Sequence, residues 1–135
     1  MRFLKGFEIA VAVLAATDAS ACRLFENNRW VMLPSPPPEL RRLADYKDLA
    51  IFKAYVIQVP ARRSGFTYSA RIRIDDVLRG DLHAGTYILR SPNSSCDSPI
   101  RAGDSGYVAG VLQDDGAIEG ISFSSAELGS SWPKR

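Results

Sequence analysis

The stretch Phe66–Gly80 reads FTYSARIRIDDVLRG. Phe66, Tyr68, Ala70, Ile72 and Ile74 fall on one parity, and Thr67, Ser69, Arg71, Arg73 and Asp75 on the other. Successive side chains leave a strand on opposite sides, so this alternation describes a strand with one buried and one wetted face. At helical spacing the same apolar residues would scatter around the axis. Asp75-Asp76 ends the alternation, Val77-Leu78 adds one apolar pair, and Arg79-Gly80-Asp81 turns the chain. A half-solvated strand of this kind belongs in an antiparallel sheet.

Four further strands follow from the same reasoning. Asp48–Pro60, DLAIFKAYVIQVP, is apolar on both parities, as expected of a central or strongly curved strand that Pro60 ends. Ala61–Gly65 is a turn, which sets this strand antiparallel to the one that follows. Thr86–Arg90 is a third strand, Gly106–Leu112 a fourth and Ala117–Ile121 a fifth, with Gln113–Gly116 as the hairpin turn between the last two. Gly106, Ala109 and Gly110 mark a place where another backbone comes close or a barrel bends. Residues 91–104 form a long polar connection. Trp30–Leu33 is a short extended segment, and Pro34–Pro38 excludes both helix and central strand. Glu39–Tyr46 brings Leu40, Leu43 and Ala44 to one face of two helical turns, and Ser125–Leu128 suits one more turn. The expected fold is all-β: a five-stranded OB-like Greek-key barrel over residues 46–123, with one or two short helices. An extension with a proline-rich segment precedes it at 22–45, and a tail follows at 124–135.

The N-terminus reads as an address. Arg2 and Lys5 precede the apolar run Ile9–Ala16, and Ala19-Ser20-Ala21 matches a small-x-small cleavage pattern. A signal peptide over residues 1–21 implies an exported protein, periplasmic or secreted, beginning at Cys22. A lipid anchor on Cys22 is the alternative, and it would bring the membrane in as a partner. An even cysteine count in an exported chain favours a disulfide, here Cys22–Cys96, over two free thiols. Closing a loop of that length contributes roughly 4 kcal/mol in the chain-entropy model.

The charge balance of 17 Lys and Arg against 15 Asp and Glu gives no concentrated basic face, so no nucleic-acid partner is expected. His83 is the only histidine and sits in a turn. Ser91, Ser94 and Ser95 have no base placed beside them by the sequence. Asp75-Asp76 and Asp114-Asp115 lack the alternating ligands of a calcium loop. No catalytic residue, metal or cofactor is therefore expected. Arg71 and Arg73 project from the polar face of the second strand, and Arg62-Arg63 lie in the loop before it. Together they form the candidate binding face, with a protein of unknown identity as the partner.

Three stretches resemble the netrin-like domain, the OB-fold module of tissue inhibitors of metalloproteinases and of bacterial secreted relatives. They are DLAIFKAYVIQV, YSARIRIDDVLRGDLHAGTYILRSPNSSC and RAGDSGYVAGVL. The matching positions are Asp48, Phe52 and Val56; Val77, Leu78, Arg79, Gly80 and Asp81; Cys96; and Gly103, Asp104 and Val108. In that pattern Arg79-Gly80-Asp81 is a strand-ending turn. The resemblance implies an OB-like barrel and a mature N-terminal Cys22 bridged to Cys96. The chain has cysteines for one possible bridge where the animal inhibitors have several, and Leu24 stands where their second cysteine would be. Two functions follow: a non-enzymatic binding or structural module, or a metalloprotease inhibitor offering the α-amine and carbonyl of Cys22 to a protease zinc.

Overall fold

β1 (Leu49–Gln58) lies between β2 (Thr67–Arg79) and β4 (Ser105–Leu112), antiparallel to both. The computed structural model describes residues 31–93, 99–123 and 125–128. β3 (Gly85–Pro92) continues antiparallel from β2, and β5 (Ile118–Gly120) runs parallel to β3 and antiparallel to β4. The order β1-β2-β3-β5-β4 closes on itself through the β1–β4 pair. This is the OB-like barrel expected from the sequence. The expected leader at 1–21 and the expected Cys22–Cys96 bridge lie outside the described residues.

Two-sided apolarity in β1 has a clear cause. Ala50, Phe52, Ala54 and Val56 point into the barrel, where they meet Ile72, Ile74, Leu89, Val108 and Ile118. On the outer side, Leu49 and Ile51 join a second core with Leu33, Leu43, Ala109, Phe123 and Leu128. That core is closed by the segment before β1 and by the chain after β5. Arg41–Asp45 forms a 3₁₀ turn, and α1 (Ser125–Leu128) a single helical turn. The 3₁₀ turn replaces the two α-helical turns expected over Glu39–Tyr46. Leu40 at its N-cap provides no side-chain bond and its first turn holds no acid, so little favours a longer helix.

β2 buries Tyr68, Ala70, Ile72 and Ile74, as the alternation requires. Phe66 departs from it: the strand begins at Thr67, and Phe66 is 95% exposed in the loop before it. Its parity matched the strand, but the chain there has not entered the sheet. The strand also outlasts the alternation. Lys53 pairs with Asp76 while Ala54 pairs with Ile74, leaving Asp75 unpaired as a bulge. A second shift leaves Leu78 unpaired between Val77 and Arg79. Bulges bend a strand and raise its twist, which closing a sheet into a barrel requires.

Gly106 and Gly110 are close-approach positions. A Cβ on Gly106 would sit 2.8 Å from the Leu33 carbonyl oxygen, and one on Gly110 would sit 2.7 Å from Ile118 Cγ2. Leu33 and Tyr107 exchange backbone hydrogen bonds of 2.7 and 2.9 Å, extending the edge of β4 past the end of β5.

Candidate binding face

The outer surface of β1, β2 and β3 is built in cross-strand rows. In one row Arg71 pairs with Gln58 on β1 and Ile88 on β3, with Ile57 bulged beside Gln58. In the next, Arg73 lies between Tyr55 and Thr86. Ile57 and Ile88 are each 41% exposed and Tyr55 36%, so the face carries apolar area that the fold does not cover.

The arginines on this face are not equivalent. Arg73 donates from Nε to Asp75 Oδ1 at 2.8 Å, and its guanidinium lies 4.9 Å from the Tyr55 ring centroid. The hydrogen bond from Arg73 holds the Asp75 carboxyl below its usual value, and Asp75 in turn raises Arg73. Arg90 pairs with Asp115 across the sheet from the β4–β5 turn. That bond, reinforced by the Ala117 N–H donating to Asp115 at 3.0 Å, lowers the Asp115 carboxyl as well. The Arg71 side chain makes no hydrogen bond, ion pair or ring contact among the described residues. It faces a shallow hollow of about 430 Å³ shared with Thr86, Ile88, Arg90 and Asp115.

Arg62 and Arg63 lie elsewhere, in the β1–β2 loop at the end of the barrel. Arg63 stacks 4.8 Å from the Tyr68 ring centroid and donates from Nη2 to the Ile100 carbonyl at 2.7 Å. It fastens this loop to the connection between β3 and β4. Arg62 is exposed. Thus Arg71 and Arg73 share the sheet face, whereas Arg62 and Arg63 belong to the loop. Sequence reasoning missed Tyr55, Ile57, Ile88, Arg90 and Asp115. The outward parity of Ile57 and Ile88 was readable once a partner strand fixed it. The Arg90–Asp115 pair joins residues with no local spacing pattern.

His83 is exposed, and its carbonyl accepts a hydrogen bond from the Tyr87 hydroxyl at 3.0 Å. Ser91 is sealed in the barrel, its hydroxyl without a partner among the described residues. A nucleophile with no access to solvent does not meet an exposed base.

A second hollow, of about 520 Å³, opens between the 3₁₀ turn, the outer side of β4–β5 and α1. Arg42 spans it, donating from Nη1 to the Ser122 carbonyl at 2.8 Å and to Glu127 Oε1 at 3.1 Å. Burial pulls the Arg42 pKa down, but Glu127 and Tyr46 together outweigh it and the guanidinium stays above its usual value. Glu119 stands exposed at the same hollow.

The topology defines an OB-like β-barrel. No protein-family model, curated protein or solved structure matches this chain.

Proposed function

We propose that the chain is an exported, non-enzymatic binding module of the netrin-like kind, engaging a protein partner through the outer face of β1, β2 and β3. The observation that carries this reading is Arg71. Its neighbours Arg73 and Arg90 each have an acidic partner within the chain, and Arg71 has none among the described residues. It stands between two half-exposed isoleucines. A guanidinium presents a planar fork of donors that matches a carboxylate, and flanking apolar surface excludes water from such a contact. Arginine with aromatic and aliphatic neighbours is also the composition of energetic centres in protein interfaces.

The two arginines of β2 serve this face differently. Arg73 stiffens it, because its bond to Asp75 and its stack on Tyr55 fix two side chains in advance of binding. Arg71 supplies the contact to the partner. A pull-down from an envelope extract tests the proposal. Wild-type protein retains a partner, and the Arg71→Glu/Arg73→Glu variant loses it. Equal recovery on both would remove this face from the account.

A further inference from the structure

The two strands that flank β5 outrun it. β5 pairs with β3 only at Leu89 and Arg90, and with β4 only from Gly110 to Leu112. Each neighbour keeps a stretch of edge that β5 does not reach. On β4 that stretch is covered, because Leu33 exchanges backbone hydrogen bonds with Tyr107. On β3 the stretch is Gly85–Ile88, and it has no partner on that side among the described residues. In an antiparallel ladder alternate residues turn both N–H and C=O away from the partner strand. Two of these four residues therefore offer their backbone groups away from β2.

Proteins blunt such an edge with a charge, a proline, a bulge or a covering segment. Gly85-Thr86-Tyr87-Ile88 holds no charge and no proline, and its register against β2 is unbroken. The hollow of about 430 Å³ runs along it, lined also by Asp115, Gly116 and Ala117 of the β4–β5 turn. Thr86 and Ile88 are exposed there, on the same outer face as Arg71. Arg90 and Asp115 neutralise each other, so Arg71 gives the hollow one uncompensated positive charge. The site thus combines main-chain donors and acceptors along one wall with a cation above them.

We propose that the partner adds an extended segment to the Gly85–Ile88 edge of β3 as a further strand, and that an acidic side chain of that segment meets Arg71. The inference rests on the binding face proposed above and names how the partner is held. Main-chain hydrogen bonds supply the attachment and side chains the selection. Arg71 and Ile88 are cross-strand partners. A segment residue opposite Ile88 lies two strand spacings from Arg71, about 9–10 Å. An extended arginine and an extended glutamate together cover that span, and their planar groups match. A second copy of the chain fits less well, because its own Gly85–Ile88 edge brings no acid.

The probe is a synthetic peptide, Ac-Thr-Val-Thr-Glu-Thr-Val-Thr-NH2, offered to the purified chain and followed by amide hydrogen exchange in NMR and by titration calorimetry. In the free chain the outward amides of Gly85–Ile88 exchange rapidly, and the peptide protects them. N-methyl groups on one alternate set of peptide residues abolish binding, and on the other set leave it, because a strand turns only every second N–H toward its neighbour. Replacing the glutamate by glutamine weakens binding about ten-fold for wild type and leaves it unchanged for Arg71→Gln. Protection already present in the free chain, or rising with protein concentration alone, overturns the proposal in favour of a segment of the same chain or a second copy. Binding that ignores N-methylation and leaves these amides unprotected overturns the strand addition, while Arg71 stands as a side-chain contact. Equal affinity of the peptide for wild type and Arg71→Gln overturns the Arg71 contact, and with it the function proposed above. No binding up to about 1 mM peptide, a weak affinity for any specific complex, overturns the proposal as well.

Discussion

Ile74 and Val77 pack against the same barrel core although three positions separate them on one strand. A regular strand would send them to opposite faces. The unpaired Asp75 supplies the extra residue that flips the parity.

Deleting Asp75 therefore tests barrel closure. It leaves Val77 inward but removes the bulge, so β2 loses a bend the closed sheet requires. A loss of about 2 kcal/mol, roughly 8 °C in Tm for a domain of this size, is expected. Asp75→Asn keeps the bulge and removes only an exposed ion pair, so its Tm stays close to wild type. Thermal melts by circular dichroism compare the two. Equal melting of deletion and wild type would contradict the role given to the bulge.

Two phenylalanines separate the core from its surface. Phe52 is fully buried between β2 and β4, and Phe52→Ala is expected to cost about 3–5 kcal/mol in urea unfolding. Phe66→Ala removes a ring that packs against almost nothing, and its cost stays within about 0.5 kcal/mol.

The small residues of β4 make a similar claim. Gly110→Ala places a methyl group 2.7 Å from Ile118 Cγ2 and 2.8 Å from the Glu119 carbonyl oxygen. Forcing β5 away is expected to cost about 1–3 kcal/mol. Urea unfolding measures it, and a neutral result would mean that β5 moves aside freely.

The barrel was legible in the sequence and the site only in part. Alternation over Tyr68–Ile74 gave the inward set of β2, and the glycines of β4 marked its close contacts, because both are local consequences of strand geometry. Phe66 misled for the same reason: parity records spacing and does not say where pairing begins. The division of labour among Arg62, Arg63, Arg71 and Arg73 was not readable. It depends on Tyr55, Tyr68, Ile100 and a bulged Asp75 meeting them across the sheet or the barrel end. The second core was hidden too, since Leu43 and Phe123 meet only when the segments before β1 and after β5 fold over β4.

Carboxyl titration probes the sheet face directly. Arg73 lowers Asp75 and Arg90 lowers Asp115, each from an ordinary value of 3.8. A carboxyl lowered by folding contributes stability that is full above the unfolded value and is lost as pH falls through the lower folded value. Carbon-detected NMR should place both midpoints below 3.8. In Arg73→Gln the Asp75 midpoint returns upward while that of Asp115 stays low. Concerted movement of both would mean that the two pairs do not act separately.

The central claim is that Arg71 is the partner's contact on this face. The affinity of the recovered partner for wild type and for Arg71→Glu, measured by isothermal titration calorimetry at equal salt, tests it most directly. The account predicts at least about a ten-fold weaker Kd for Arg71→Glu, typical of a lost charged anchor, with an unchanged Tm. An unchanged Kd would contradict it.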